Sequence, residues 1–406
     1  MTPLVSVSIC SFNHVPYLPA AIESALGQTL DAMELIVVDD GSSDGSLAVA
    51  EQYAAADSRV RVVTHPGHAN LGLAATGNLA RSLARGRYLI GLPSDDVLYP
   101  DALEREVDLL ERRPELGYVY GYAHLIDDSG ERLRFARTFG IDLTPGDRTV
   151  ELLVQGNTIP AMTVMFRREC IEQAGEEDPN LVYSDWELYA RAAAHWQVGF
   201  IPRALAMHRL HGGNVSLGAG RTTNLERAVE VTASLRERAP AVGGRLSAAR
   251  VRATLDLQMG FLRFASGDRD PAAAYMRSGF DRDPSLASDG RWLGDWLWSR
   301  LLDGLLASDE REFVSWVGGN VVPLIDPRAA RRFRRESVAS EHLGRAVQLA
   351  RRGRTGAAHR AALSAIARSP RHALDKRLPS VLLDSMAGRS PAKGYRIARS
   401  RLLSHR

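Results

Sequence analysis

The sequence predicts an α/β fold with a mostly parallel sheet flanked by helices, followed by an all-helical C-terminal region. In the first half, short apolar runs rich in β-branched residues alternate with amphipathic stretches, which is typical of βαβ units. From Asn224 onward the strand signals fade, and Ala, Arg and Leu recur at helical spacing. We therefore expect two domains, at residues 1–220 and 221–406.

The alternation assigns each element in order. Strands are predicted at 4–10, 34–38, 59–64 and 88–92, with helices at 17–26, from after the turn 39–45 through 54, at 73–84 and at 101–112. Further along, strands are predicted at 118–126, 162–167 and 198–206. Ser184 and Asp185 stand where a capping residue begins a helix over 186–195. The second group of strands extends the same sheet.

Length and composition exclude several classes of protein. A chain of 406 residues that is 45% hydrophobic is expected to fold into two or three domains with real cores. Its two cysteines, Cys10 and Cys170, suit neither a disulfide framework nor a zinc cluster, which predicts a reducing cytoplasm. The first residues lack the basic and apolar regions of a signal peptide, and no apolar run approaches about 18 residues, so we expect neither a signal peptide nor a membrane span. We expect a cytoplasmic protein, soluble or peripheral at the inner face of the membrane.

Charge is divided unequally between the two halves. Residues 221–406 hold 34 Lys and Arg against 19 Asp and Glu, a net of +15, which leaves 17 against 29, a net of −12, for residues 1–220. A basic half of this kind can contact anionic lipid, an acidic glycan, nucleic acid or the acidic half of the same chain. The alternative is a solvated arginine-rich helical surface.

Two segments of the C-terminal half are similar to one another. Residues 267–284 and 353–370 each contain Gly, a short polar turn, an alanine-rich helix and an Arg-x-Pro end. This similarity resembles the helical hairpins of tetratricopeptide repeats, although two units are fewer than such arrays need. A plain helical bundle is the alternative.

Two acidic pairs follow predicted parallel strands. Asp39 and Asp40 follow one strand, and Asp95 and Asp96 follow another, so both pairs lie at the sheet edge where open α/β folds bind ligands. One acidic pair in a turn is usually only solvated. Two pairs on one edge indicate diphosphate binding through a hard cation, Mn²⁺ or Mg²⁺, which prefers oxygen ligands. We expect Asp96 to be a metal ligand and Asp95 to assist it or to orient the ribose.

The first acidic pair lies beside the end of the first strand. There Phe12 and Asn13 are placed to flank a nucleotide base while Asp40 accepts its imide N–H. The strand continues as Ser11-Phe12-Asn13-His14, so it carries neither a Gly-x-Gly-x-x-Gly turn nor a Gly-Lys-Ser/Thr phosphate loop. Dehydrogenases and ordinary kinases are therefore excluded.

Several motifs together resemble family 2 glycosyltransferases with the GT-A fold, and the resemblance covers roughly residues 3–217. The motifs are Val5-Ser6-Val7-Ser8-Ile9-Cys10-Ser11-Phe12-Asn13, Val37-Val38-Asp39-Asp40-Gly41-Ser42-Ser43-Asp44, Asn70-Leu71-Gly72, Ala84-Arg85-Gly86-Arg87-Tyr88 and Ser94-Asp95-Asp96. By resemblance, Ser11, Phe12, Asn13, Asp39, Asp40, Asn70 and Asp95 are expected to bind the donor.

The resemblance implies inverting sugar transfer from a nucleotide-diphospho-sugar, with a divalent metal under the diphosphate and a carboxylate base. Asp185 matches the position of that base, and a helix N-terminus would hold it ionised. The alternative is an ordinary N-terminal helix charge, and Glu187 is the second candidate for the base.

The loop 208–214 resembles one that follows the catalytic helix in such enzymes. It implies that His211 approaches the metal or diphosphate, and Arg209 is a comparable candidate for a phosphate contact. Two positions depart from the family pattern. Ser94 replaces an acid at the first position of the metal motif, and Gly77 stands where relatives often carry an arginine.

The function expected is transfer of a sugar, with a UDP-linked donor favoured and dTDP or GDP left open, to a glycan, a lipid-linked or another acceptor. No nucleic-acid partner is expected, and the basic half is expected to contact a membrane, an anionic acceptor or a protein. A non-catalytic nucleotide- or carbohydrate-binding scaffold is the main alternative, and joint retention of Asp40, Asp95, Asp96 and Asp185 argues against it. A nucleotidyltransferase would need an arginine- and glycine-rich loop after the first strand, which this chain lacks.

Overall fold

The structure is a computed structural model. It describes residues 2–137, 159–214, 221–238, 247–288, 310–325 and 355–368, with a few positions between 149 and 157 and between 327 and 331. Within these residues the protein has an α/β fold with a nine-stranded sheet and a helical C-terminal region, as the sequence predicts.

The N-terminal half of the sheet is parallel. Its strands lie in the order β3 (Val60–Thr64), β2 (Met33–Asp39), β1 (Val5–Ser11) and β4 (Tyr88–Pro93). Ser11 pairs with Asp39, and Cys10 pairs with Pro93. This register brings the ends of three strands to one edge, so the turns that follow them are neighbours.

The other half of the sheet is mixed. Beyond β4 come β8 (Met165–Arg167), β6 (Leu116–Ile126), β9 (Gln197–Arg209) and β5 (Val97–Leu98), while β7 (Arg132–Arg137) pairs with β6. Strands β6 and β9 are parallel, whereas β8 is antiparallel to both of its neighbours. The long strand β9 ends at the same edge as β1 and brings the loop after it to that edge.

Helices cover both faces of the sheet. The first six are α1 (Leu18–Leu26), α2 (Ser46–Ala56), α3 (Leu73–Leu83), α4 (Ala102–Arg112), α5 (Arg168–Ala174) and α6 (Ser184–Ala193). Those described in the C-terminal region are α7 (Arg221–Glu237), α8 (Ala248–Ala265), α9 (Arg269–Arg282), α10 (Ser285–Ser288), α11 (Glu310–Asn320) and α12 (Thr355–Arg368). Short 3₁₀ turns lie at Pro66–His68, Ala161–Thr163 and Val322–Leu324.

Two large hydrophobic clusters lie on opposite faces of the sheet. The first contains Val7, Ile9 and Ile90 and packs under α1 and α4. The second contains Tyr118, Phe166 and residues of α6, together with Val231 and Leu235 of α7 and Val251 and Leu255 of α8. Burial of these apolar side chains is the main stabilising contribution.

The chain divides into two compact units, Met1–Leu255 and Asp256–Arg406. Helix α7 and the first residues of α8 therefore belong to the same unit as the sheet. In the second unit, α9 and α12 lie within the two segments predicted to be similar, while positions 353–354 and 369–370 lie outside the described residues. Among the helices that the structure describes, none is both long and apolar enough to cross a membrane.

Candidate active site

The turns after β1 and β2 are joined by side-chain hydrogen bonds. The Asn13 amide oxygen accepts a hydrogen bond from the Ser43 backbone N–H at 2.8 Å, and the Asn13 N–H donates to Ser42 Oγ at 3.0 Å. Asn13 has φ of 51°, a left-handed conformation that Asn tolerates better than most residues. Asn13, predicted to contact the donor, thus fixes the loop that presents the half-exposed Phe12.

Asp40 holds the loop before α3. Its two carboxylate oxygens accept hydrogen bonds from the backbone N–H groups of Leu71 at 2.7 Å and Gly72 at 3.0 Å. Gly41 has φ of +80°, and a Cβ there would lie 2.9 Å from the His68 carbonyl oxygen, so the two loops meet at a glycine. Asn70 lies exposed beside this contact. Asp40 and Asn70 therefore lie on neighbouring loops.

Two buried polar atoms at this edge have no hydrogen-bond partner among the described residues. They are Asp39 Oδ2 and Ser11 Oγ, which lie on paired positions of β2 and β1. The other Asp39 oxygen accepts from the Ser42 N–H at 3.0 Å. A buried acceptor without a partner costs free energy, so these two atoms mark a place where a polar ligand would be bound.

Asp95 lies in a cluster with two histidines. His211 Nε2 is 2.8 Å from Asp95 Oδ2, and Asn214 Nδ2 donates to the same oxygen at 3.1 Å. One nitrogen of His14, one of His211 and one Asp95 oxygen all lie within 4.8 Å of one another. Burial alone would raise the pKa of Asp95, but the hydrogen bond from His211 and the charges of both histidines hold that pKa below its ordinary value. Asp95 is therefore ionised at neutral pH.

Asp96 is placed differently from the prediction that made it the first choice of metal ligand. It is fully buried, and its carboxylate accepts from the Arg209 backbone N–H at 2.8 Å and lies 3.1 Å from His208 Nδ1. Burial raises the pKa of Asp96 despite the His208 hydrogen bond. The Arg209 guanidinium donates to the backbone carbonyl oxygens of Asp95, Asp127 and Asp128. Asp96 and Arg209 thus join β9 to the turn that carries Asp95.

The donor set of His14, Asp95 and His211 fits a divalent cation. An ionised carboxylate and two imidazoles, close together at the sheet edge, offer one oxygen and two nitrogen ligands. Two imidazoles favour Mn²⁺ over Mg²⁺, because Mg²⁺ prefers oxygen ligands alone. His14 was not predicted as a ligand. The available signal in the sequence was its position directly after Ser11-Phe12-Asn13, the residues predicted to bind the donor.

Asp185 lies in the first turn of α6, as predicted, and borders a cleft of about 160 Å³. The cleft lies between α3 and α6 above strands β1 and β4. Its polar and small lining residues include Ser8, Cys10, Gly77, Arg81, Gly91, Glu177 and Asp185. The Asp185 carboxylate accepts from the Trp186 backbone N–H at 2.7 Å and from Asn157 Nδ2 at 3.4 Å. Asp185 therefore lines this cavity together with Glu177, whose carboxylate is paired with Arg81.

The protonation of Asp185 differs from the expectation that a helix N-terminus keeps it ionised. Burial and the nearby charge of Glu177 raise its pKa to about 7, while the backbone hydrogen bonds lower it less. A carboxylate with such a pKa is a stronger base than an exposed one and is still half ionised at neutral pH. A pKa of about 7 suits the role of general base that the sequence predicts for Asp185.

Glu177 connects the start of α6 to α3. Its carboxylate pairs with Arg81 at 2.6 Å and accepts a hydrogen bond from the Ser184 hydroxyl, while its backbone N–H donates to Asn78 Oδ1 at 2.9 Å. The Asn78 amide in turn donates to the Glu177 carbonyl oxygen at 2.9 Å. This network fixes Asp185 relative to the helix that begins after the Asp40 loop.

Glu187, the second candidate for the base, is fully buried in ion pairs. Its carboxylate pairs with Arg191 at 2.8 Å and with Arg238 at 3.0 Å. Its carboxylate is held by these two ion pairs, and Glu187 is not among the residues that line the cleft beside Asp185. The geometry therefore favours Asp185.

The comparisons with known proteins identify the family of the chain. The model of the family described as glycosyl transferase family 2 matches residues 6–173. An uncharacterized glycosyltransferase of Haemophilus influenzae is 30% identical over 189 residues, which cover 46% of this chain and 70% of the relative. The putative teichuronic acid biosynthesis glycosyltransferase TuaG of Bacillus subtilis is 32% identical over 180 residues, 44% of this chain and 67% of the relative. The chain belongs to glycosyl transferase family 2.

The protein is accordingly a glycosyltransferase, an enzyme that transfers a sugar. Chondroitin synthase of Escherichia coli is 38% identical over 128 residues, which cover 32% of this chain and 18% of that enzyme. Among solved structures, Staphylococcus aureus TarS 1–349 in complex with UDP-GlcNAc aligns with 84% of this chain and 87% of its own, at 16% identity and a TM-score of 0.49. That structural likeness is distant.

Proposed function

We propose that this protein transfers a sugar from a nucleotide-diphospho-sugar, a UDP-sugar first of all, to an acceptor hydroxyl with inversion at the anomeric carbon. The observation that carries the proposal is the pairing of two sites on one sheet edge. The His14–Asp95–His211 cluster, which suits a metal diphosphate, lies at the ends of β1, β4 and β9. The Asp185 carboxylate, whose pKa is raised, borders the cleft above β1 and β4.

The nucleoside binds beside the ends of β1 and β2. Phe12 packs against the base, and the buried Asp39 Oδ2 and Ser11 Oγ supply acceptors for its polar hydrogens. Asp40 was predicted to accept the imide N–H of the base, but its two oxygens accept the Leu71 and Gly72 N–H groups, so in this proposal it holds the loop beside the pocket. Asn70 and Asn13 complete the rim.

A divalent cation, Mn²⁺ in preference to Mg²⁺, is held by His14, Asp95 and His211. When bound, it neutralises charge on the diphosphate leaving group. Asp96 positions these ligands, because its carboxylate holds the Arg209 backbone and His208 at the point where β9 leads into the His211 loop. A carboxylate-supported ligand loop of this kind is expected to tune metal affinity.

Asp185 acts as the general base. It accepts the proton of the acceptor hydroxyl, and the acceptor oxygen attacks the anomeric carbon from the side opposite the diphosphate. A bond forms between that oxygen and the anomeric carbon, and the bond from the anomeric carbon to the diphosphate oxygen breaks. The nucleoside diphosphate leaves, and one displacement inverts the configuration.

The acceptor is a glycan or a lipid-linked saccharide. This part of the proposal is supported by the names of two relatives, chondroitin synthase and the teichuronic acid biosynthesis glycosyltransferase, and by the net positive charge of residues 221–406. An anionic acceptor or membrane surface suits that charge. In this proposal, the basic C-terminal part of the chain contacts a membrane or a protein partner, and the cytoplasmic side is its location.

Thermal unfolding with UDP, dTDP and GDP, each with Mn²⁺, Mg²⁺ or EDTA, tests the proposal. A nucleotide at about a hundred times its dissociation constant should stabilise the protein by roughly 2.7 kcal/mol. We expect the largest shift with UDP and Mn²⁺ and its loss in the His211→Ala variant, while exchange of the exposed His195 for Ala leaves the shift intact. Absence of a shift with every nucleotide would favour the non-catalytic scaffold.

A further inference from the structure

Two glycines border the cleft that contains Asp185, although neither the backbone nor the packing requires them. Gly91 lies in β4 and Gly77 in the interior of α3, and neither has a φ in the left-handed region. A Cβ at Gly91 would meet only Ser8 Oγ at 3.9 Å, and one at Gly77 would meet Arg81 and Glu177 side-chain atoms at 3.7 Å. Both positions therefore have room for a side chain.

A glycine inside a strand or helix weakens that element, so its presence calls for another reason. In a strand interior, glycine often marks a place where a ligand approaches the backbone closely. In a helix interior, it is unfavourable relative to alanine. Two such glycines on different elements border the same cavity. Free space in that cavity is the feature they share.

The floor of the cleft consists of small residues at alternate strand positions. Ser8 and Cys10 on β1 alternate with residues of the opposite face, and so do Gly91 and Pro93 on β4. Pro93 is two residues before Asp95, so the floor leads toward the His14–Asp95–His211 cluster. Asp185, in the first turn of α6, lines the side of the cleft.

In a single displacement, the transferred sugar lies between the leaving diphosphate and the acceptor hydroxyl. The cleft occupies that place if the diphosphate is at the Asp95 cluster and the hydroxyl is at Asp185. We infer that the cleft over β1 and β4 holds the sugar ring of the donor, and that Gly77 and Gly91 set the size of the ring substituents it accepts. This inference rests on the proposed function and adds specificity-determining residues to it.

The lining describes the sugar that fits. Leu73, Phe166, Val182 and Leu188 give the cleft an apolar wall, and the Arg81–Glu177 ion pair gives it a polar one. A hexose with hydroxyl groups on one side and an apolar ring face or acetamido methyl on the other matches both walls. A side chain at Gly91 would meet the ring from below, and one at Gly77 would meet it from α3.

The test compares the variants Gly91→Ala, Gly91→Val and Gly77→Val with wild type by calorimetric titration in Mn²⁺. Each protein is titrated with UDP and with UDP-glucose and UDP-N-acetylglucosamine, and with GDP and GDP-mannose as a second set. We expect unchanged affinity for the free nucleotide and at least tenfold weaker binding of the nucleotide-sugar. At position 91, the loss of nucleotide-sugar affinity should be larger with Val than with Ala. Gly318→Val is the matched helix control, because Gly318 is exposed in α11 with no atom within 4 Å of an added Cβ.

The outcomes separate the inference from the proposed function. If wild type binds none of the nucleotides or nucleotide-sugars, both fail. If wild type binds them and the three variants bind the nucleotide-sugar equally well, or if the sugar adds nothing to the affinity of the free nucleotide, only the inference is overturned. A raised acceptor KM with unchanged donor affinity would also overturn it, because the cleft would then hold the acceptor. Unchanged melting temperature and UDP binding show that a variant is folded.

Discussion

At the scale of single residues, Asp185 joins the fold to the proposed chemistry. It sits at the start of α6, between a backbone N–H that favours its charged form and a buried environment that opposes it. Burial dominates, and the resulting pKa of about 7 gives the carboxylate the strength of a base at neutral pH.

Exchange of Asp185 for Asn should abolish most of the transfer. We expect kcat to fall by a factor of about 100 or more, which is the usual contribution of a positioned base, with little change in the affinity for the nucleotide-sugar. Initial rates and donor titrations measure the two quantities. Asp108→Asn, an exposed position on α4, is the control. Transfer at the wild-type rate in the Asn variant would rule out Asp185 as the base.

The pH profile of transfer should report the environment of Asp185. Because the base acts when deprotonated, the rate should fall as pH drops below about 7 in the wild type. Glu177→Gln removes a negative charge that raises this pKa, so the acidic limb should move to lower pH. The other polar groups near the Asp185 carboxylate are Asn157 and Tyr189, and Arg81 is paired to Glu177.

Ser184→Ala provides the matched control for that shift. It removes a hydroxyl contact to Glu177 without changing any charge. The limb should therefore stay at its wild-type position, even if the rate changes. A limb that moves equally in both variants would indicate a structural effect in place of an electrostatic one.

At the scale of elements, α4 carries a buried acid that no described group satisfies. Glu106 is fully buried, and neither of its carboxylate oxygens has a hydrogen-bond partner among the residues that the structure describes. Burial raises the pKa of Glu106 well above its ordinary value of 4.5, so it is protonated in the folded protein. A neutral carboxyl in an apolar site still costs desolvation free energy.

Exchange of Glu106 for Leu should stabilise the protein by about 1–3 kcal/mol near neutral pH, since it removes an unsatisfied polar group. The gain should grow as pH rises above 4.5, because the unfolded chain then ionises Glu106 while the folded chain does not. Urea unfolding at pH 5 and pH 8 measures this. Glu104→Leu, two residues earlier at an exposed position in the first turn of α4, should give neither the gain nor the pH dependence.

The elements also show what sequence patterns can predict. Apolar runs such as those of β1, β2 and β4 are long and regular, so periodicity places them to within a residue or two. Strand β5 has two residues and β7 has the composition Arg-Leu-Arg-Phe-Ala-Arg, which carries no burial signal. Both depend on pairing with β9 and β6, which local sequence does not encode.

The candidate site shows the same division. Asp185 and His211 were predicted because a motif surrounds each of them in the chain. Which of Asp95 and Asp96 lies beside His211 was not predictable, because adjacent residues of a turn point in different directions and only the position of β9 decides it. His14 joins them because the fold brings the end of β1 beside Asp95 and His211, and its signal in the sequence was its place directly after Asn13.

At the scale of the whole molecule, the boundary of the sheet unit has a testable consequence. The sequence predicts a boundary near residue 220, whereas the compact unit that contains the sheet extends to Leu255. Val231, Leu235, Val251 and Leu255 pack in the same cluster as Tyr118 and Phe166. A chain ending at 220 would leave much of that cluster exposed to water.

We expect the fragment 1–255 to fold and to bind UDP with Mn²⁺, and the fragment 1–220 to lose cooperative unfolding. Loss of four buried aliphatic side chains, at roughly 1.5–3 kcal/mol each, is comparable with the total stability of a typical domain, about 5–15 kcal/mol. Circular dichroism melting and UDP titration distinguish the fragments. Equal melting of both would show that α7 and α8 are dispensable for the sheet.

The metal cluster also links distant parts of the chain. His14 follows the first strand, whereas Asp95 follows the fourth and His211 follows the ninth, so a bound ion would close a loop of roughly 200 residues. Closing a loop of that length in the folded state alone makes cation binding part of the folding equilibrium of the sheet. During synthesis, the cluster cannot assemble before His211 leaves the ribosome, which means that capacity for the ion appears only when the last strand of the sheet is complete.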